Sequence, residues 1–275
     1  MIQDGEASYI LKDSEQDTIF QIGSVAKSFT GFGVLMLEDM GLLSVYDSVN
    51  QHLPWFWVNY NGTPVPHEDI TIYNLLHHTS GFTSDERFFE RPQLTETTTE
   101  WSERFAGVEL SAYPSTVNVY TNINYILLGL IIESASGQSY DEFMTSQILH
   151  PLEMCDTFID FGRAQQTGRL IGGNRLRFMQ PVSWEPPHHT ATVPTGRIYS
   201  SVADMARWAG LHLGSLEVSE QFARVTQRSH ELNGDSEHLF AHRRNDGFYA
   251  AGLGISFENG SISSIAHNGS NRIFC

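Results

Sequence analysis

Residues 31–37 read Gly-Phe-Gly-Val-Leu-Met-Leu, apolar on nearly every side of a helical turn. The segment therefore predicts a helix buried in the interior, with Ser24 at its start and Gly41 as its stop. Ahead of it, two strand-like pieces, residues 7–11 and 18–22, flank the polar turn 12–17. After Gly41 the pattern breaks into loops and short helices with Pro54, Pro64 and Pro66, a texture that persists to about Pro194. Within that stretch Thr71 caps a short helix through Leu76. A stronger helix runs from Asn122 to about Ser136, with Ile123, Ile126, Leu127, Leu130 and Ile131 as its apolar stripe and Gly137 as its stop. Ser139 and Glu142 form a capping box for a further helix that Pro151 ends, and Ser201 with Asp204 opens one through Leu213, closed by Gly214. The chain then returns to strands: residues 251–257, the turn Asn259-Gly260 and residues 261–266 predict a hairpin.

Composition narrows the possibilities. A chain of 275 residues, 40% hydrophobic, can bury a sizeable core. Its formal charge of −16, with no basic cluster, argues against nucleic acid and anionic membrane as partners. The two cysteines, Cys155 and Cys275, give neither a disulfide framework nor a metal-ligand spacing. Residues 1–6 lack the basic and apolar stretches of a secretory signal, and the longest apolar run, residues 126–132, falls short of the roughly 20 needed to span a bilayer. The chain as given reads as soluble.

The candidate chemistry begins at the buried helix. Ser24 and Lys27 stand three apart, one turn along a single face, which sets an amine beside a hydroxyl. Of the 16 basic residues only Lys12 and Lys27 are lysine. Arginine stays charged at any working pH, whereas a desolvated lysine can act as a base, so the choice at position 27 points to proton transfer. A helix start also offers backbone N–H groups to an oxyanion. Tyr120 and Asn122, two apart on an extended approach to the second helix, either face one cleft or serve as packing aromatic and helix cap. His267-x-Gly269 follows the last strand of the hairpin. The pairs His77-His78 and His188-His189 have no third ligand at helical spacing and read as packing and capping rather than metal ligation.

Together, Ser24-x-x-Lys27, Tyr120-x-Asn122 and His267-x-Gly269 resemble the three signature elements of serine β-lactamases and penicillin-binding DD-peptidases. Specifically they resemble the class C branch, with its family VIII-type carboxylesterases and D-amino-acid-specific peptidases. The stretches Leu75-Leu76-His77-His78-Thr79-Ser80-Gly81, Pro151-Leu152-Glu153-Met154 and Pro194-Thr195-Gly196 are similar to segments recurrent there. The resemblance covers about residues 18–270. It implies an α+β, β-lactamase/transpeptidase-like fold, an antiparallel sheet with flanking helices plus a helical subdomain. One domain, 1–275, would then comprise an α/β part (1–48 and 195–275) and a mostly helical part (49–194).

The resemblance further implies Ser24 as acylated nucleophile, with Lys27 and Tyr120 sharing general base and acid duty. Asn122 would hold the substrate amide, and the N–H groups of Ser24 and Ser270 would form the oxyanion hole beside Gly269. No cofactor or metal is implied. His267 stands where β-lactamases usually carry lysine, which shifts the expectation from β-lactams toward esters or peptides. Residues 113–116 lack the glycine usual after proline there. The expected activity is a serine-dependent acyl hydrolase acting on a small ester, amide or peptide. The rival is a penicillin-binding-type sensor or scaffold without turnover, or an inactive fragment, because the sequence pattern leaves the sheet unfinished at both ends.

Overall fold

Strand β1, Ile19–Gln21, delivers the chain into a tight turn, Gly23–Val25, and then helix α1, Ala26–Asp39. In this computed structural model the described residues are 2–3, 6–7, 17–83, 98–177, 180–184, 190–239, 248–258 and 261–269. Every residue of α1 from Ala26 to Leu37 is buried, the apolar run 31–37 as its pattern requires and the polar Lys27, Ser28 and Thr30 with it. Ser24 sits in the 3-10 turn, two residues ahead of the helix proper rather than at its start as the sequence pattern places it. Gly41, at φ +72°, turns its N–H back to the Glu38 carbonyl and ends the helix.

Helix α2, Ile72–Leu76, starts from a reciprocal capping box between Thr71 and Asn74. Helix α3, Asn122–Ser136, ends at Gly137 in the left-handed conformation. Its residues 123–132 are all buried, and it packs on both α1 and α2. Helix α4, Tyr140–Met144, carries the predicted Ser139–Glu142 capping box and passes into a wider turn over Thr145–Leu149. The short helix α5, Val193–Gly196, leads to strand β2, Tyr199–Ser201, which pairs antiparallel with β1. Helix α6, Val202–His212, follows, with Ser201 accepting the Asp204 N–H.

Between α6 and the last strands lies helix α7, Glu220–Leu239, where the sequence pattern gave no helix. Its buried positions include Phe222, Val225, Thr226, Ser229, Leu232 and Asn233: helical spacing, but half of them polar, so no apolar stripe marks it. Strands β3, Phe248–Ala250, β4, Leu253–Glu258, and β5, Ser261–Ala266, form an antiparallel sheet in the order β3-β4-β5, with a register shift at Ser256/Phe257. The hairpin Gly173–Arg177 with Gln180–Trp184, and the ladder of Val58–Tyr60 with Thr63–Pro64 and Val108–Glu109, were also not foreseen. The expected strand over residues 7–11 overlaps only the short pairing of Ile2–Gln3 with Glu6–Ala7, and residues 8–11 lie outside the described residues.

Backbone contact locks the last sheet to α1. A Cβ at Gly252, itself at φ +78°, would lie 2.2 Å from the Lys27 carbonyl carbon, and one at Gly31 would lie 2.3 Å from the Ala251 oxygen. Only glycine on both sides lets the turn between β3 and β4 rest on the helix that carries Lys27. Asn233 of α7 completes the junction, donating to the Ala250 carbonyl at 3.2 Å and accepting its N–H at 2.8 Å.

Candidate active site

The Lys27 side chain is fully buried, and its Nζ lies 3.2 Å from Ser24 Oγ, 2.7 Å from Asn122 Oδ1 and 2.7 Å from the Thr195 carbonyl. Four elements meet there: the Gly23–Val25 turn, α1, the first residue of α3 and α5. Asn122 makes this contact from inside α3, whose cap is Thr121, its Oγ1 accepting the Ile123 N–H. The reading of Asn122 as the cap is thereby replaced. The same Nζ stands 5.0 Å from the centroid of the Tyr120 ring and 5.8 Å from that of Tyr125.

His78 fixes the approach of Tyr120. Its carbonyl accepts the Val119 N–H at 2.8 Å, and its Nδ1 lies 3.3 Å from the Thr121 N–H and 3.0 Å from the Asn124 amide. Burial, reinforced by the Lys27 charge, holds its pKa well below the ordinary value, so the ring is neutral and Nδ1 accepts. The Tyr120 ring packs on it at 4.5 Å. His77 ties the same turn to α7, its ring nitrogens 2.8 Å from the Tyr73 carbonyl and 3.1 Å from that of Leu232. His188 and His189 lie outside the described residues.

His267 follows β5, with Nδ1 2.9 Å from the Asn268 carbonyl and Nε2 3.1 Å from the Tyr249 hydroxyl. A carbonyl only accepts, so Nδ1 carries the proton of the neutral ring and Nε2 accepts from Tyr249. Burial first, then the Lys27 charge, lowers the His267 pKa to about 4. Gly269 fits against β1's end, since a Cβ there would lie 2.3 Å from the Ile22 oxygen. Ser270 lies outside the described residues.

Tyr249 was not singled out by sequence. Its ring faces His78 at 5.1 Å and Tyr120 at 6.1 Å, and burial raises its pKa well above the ordinary phenol value. The Thr195 carbonyl was missed too, because a backbone acceptor leaves no mark on residue type. The arrangement brings Ser24, Lys27, Tyr120 and Asn122 to one place, with His267 behind Tyr120 at 6.4 Å between rings. Among the described residues no three His, Cys, Asp or Glu side chains group to hold a metal ion. No helix among them is long and apolar enough to cross a membrane.

A model of the beta-lactamase family matches residues 10–274. Protein flp of Staphylococcus aureus (strain MRSA252) is 32% identical over 217 residues, covering 78% of this chain and 42% of flp. Penicillin-binding protein 4* of Bacillus subtilis (strain 168) is 32% identical over 146 residues, 51% of this chain and 30% of that protein. The chain thus spans less than half the length of these curated relatives. The octameric penicillin-binding protein homologue from Pyrococcus abyssi superposes with a TM-score of 0.72 at 26% identity, covering 94% of this chain and 58% of that one. A class C beta lactamase gives 0.69 at 19% identity, covering 89% and 62%, a likeness of fold.

Proposed function

Because this chain belongs to the beta-lactamase family and has its α+β fold, we propose that it is a serine acyl hydrolase working through an ester on Ser24. The contacts of Lys27 carry the reading. A neutral amine has two N–H groups and one lone pair, and two of its partners, Asn122 Oδ1 and the Thr195 carbonyl, can only accept. They take the two N–H groups and leave the lone pair facing the Ser24 hydroxyl at 3.2 Å. In that form Lys27 receives the Ser24 proton as Oγ attacks a carbonyl.

The new Oγ–C bond forms as the carbonyl electrons move to oxygen, where the N–H groups of Ser24 and Ser270 stabilise the oxyanion. When the bond to the leaving group breaks, Lys27 and Tyr120 return the proton to it. Water then adds to the ester by the reverse route, giving the acid and restoring the Ser24 hydroxyl. Asn122 steadies the acyl amide. His267 commits its N–H to Asn268 and its lone pair to Tyr249, so with Gly269 it shapes the cleft wall without supplying a fixed cation. Uncharged short-chain esters or D-amino-acyl groups suit such a site better than penicillins and cephalosporins.

A fluorophosphonate probe and p-nitrophenyl butyrate test the reading on the chain as it stands. We expect labelling and ester turnover, both lost in Ser24→Ala. Stable acylation by a fluorescent penicillin with no ester turnover would instead mean a binder.

A further inference from the structure

Only part of α5 serves Lys27. Thr195 gives its carbonyl to the amine, whereas Val193 and Pro194 face a cavity of about 280 Å³ that none of Ser24, Lys27, Tyr120, Asn122 or His267 lines. Ile159, Phe161 and Tyr199 add apolar and aromatic walls. The volume is near the lower end for small-molecule sites, which begin at about 300 Å³. Three carboxyl groups, Glu133, Asp141 and Asp160, line it against one guanidinium, Arg197.

Those carboxyl groups are met mainly by neutral donors. Glu133 accepts the Tyr140 N–H at 2.9 Å, Asp160 the Arg163 N–H at 2.8 Å, and Asp141 the Thr145 hydroxyl at 3.0 Å, with the Arg163 guanidinium at 3.9 Å. Burial pushes the Glu133 carboxyl pKa up, a cost to its charged form that a ligand cation would offset. Negative charge set in apolar walls suits a cation on an apolar body.

We propose that this cavity binds a small organic ammonium compound with an aromatic or branched apolar body, and that its occupancy alters the setting of Lys27. The coupling path is short. The Pro194 carbonyl accepts the Thr30 hydroxyl of α1 at 2.7 Å, and that hydroxyl lies 2.7 Å from Tyr140 OH, itself in the cavity wall. A ligand pressed on Pro194 and Tyr140 therefore bears on both α1 and the Thr195 carbonyl, the two supports of the Lys27 amine.

The test is titration of the chain with 2-phenylethylammonium chloride, read by calorimetry or by NMR, so it does not depend on turnover. We expect saturable binding of one molecule, equal before and after fluorophosphonate modification of Ser24. It should be at least about tenfold weaker in Glu133→Gln, lost in Val193→Trp, and absent for phenylacetate, which has the same body and opposite charge. Saturation should change the rate of Ser24 modification at least about twofold. Absence of binding, loss of binding on Ser24 modification, equal binding of phenylacetate, or unaltered affinity in Glu133→Gln would each overturn the site, and an unchanged modification rate would overturn the coupling. An inactive chain would refute the hydrolase reading and leave the binding test standing.

Discussion

Lys27 occupies a position that arginine cannot fill. Its amine meets two carbonyl acceptors and a hydroxyl within 3.2 Å in a fully buried setting, and a guanidinium would bring bulk and a permanent charge. Lys27→Arg should therefore lower kcat about 10²- to 10⁴-fold, the range general acid–base catalysis supplies, while Ser24→Ala abolishes turnover and labelling. Single-turnover kinetics on p-nitrophenyl butyrate check this, and a Lys27→Arg enzyme with most of its kcat would reduce the amine to an electrostatic prop. A second expectation follows from His267, which burial and the Lys27 charge keep neutral down to about pH 4. Where a lysine ammonium would make a charge-assisted bond, roughly twice as strong as a neutral one, this ring offers nothing to a drug carboxylate. The kcat/KM for p-nitrophenyl butyrate should thus exceed that for nitrocefin, and nitrocefin ahead by about tenfold or more would refute the preference.

The elements that sequence disclosed are those whose signals are local. α3 announces itself by an apolar stripe, and Gly137 at φ +69° stops it as expected; the Ser139–Glu142 box forms as drawn. α7 stayed hidden because its buried side includes the polar Thr226, Ser229 and Asn233, which break the apolar stripe that would mark a helix. Tyr249 and the Thr195 carbonyl were illegible for a related reason, since both act through tertiary contact: a strand not foreseen reaches His267, and a backbone oxygen has no residue code. Asn233 shows what such hidden polar contacts contribute. Asn233→Ala removes two side-chain hydrogen bonds to the Ala250 backbone beneath β3, and each such bond contributes roughly 0.5–1.5 kcal/mol. Urea denaturation should show that loss, with a matching fall in ester turnover because Tyr249 is the next residue of the strand. A stability change within about 0.5 kcal/mol, the level of an ordinary surface substitution, would mean that α7 does not brace the site.

At the scale of the whole molecule, the histidine at the end of α6 ties stability to pH. His212 is buried among Phe32, Trp208 and His230, with ring centroids at 6.1, 4.9 and 5.9 Å. Neither of its ring nitrogens has a hydrogen-bond partner among the described residues. Burial, with a smaller contribution from His230, lowers its pKa from 6.5 to about 3. Between those values the unfolded chain takes up a proton that the folded chain refuses, so stability is whole above about pH 6.5 and declines as the pH falls toward 3. At about 1.36 kcal/mol per pH unit, this one residue removes roughly 2 kcal/mol by pH 5 and roughly 5 kcal/mol by pH 3. His230, His78 and His267, whose pKa values are also lowered, act in the same direction. Trp208 links this cluster to the active site, stacking on Phe29 at 3.9 Å and donating its indole N–H to Ser28, the neighbour of Lys27. His212→Leu keeps an apolar side chain among the rings and removes the titrating nitrogens. Its urea-unfolding free energy should therefore fall less between pH 7 and pH 5 than that of the parent, by roughly 2 kcal/mol, and parallel pH dependences would rule out His212 as a source of acid lability.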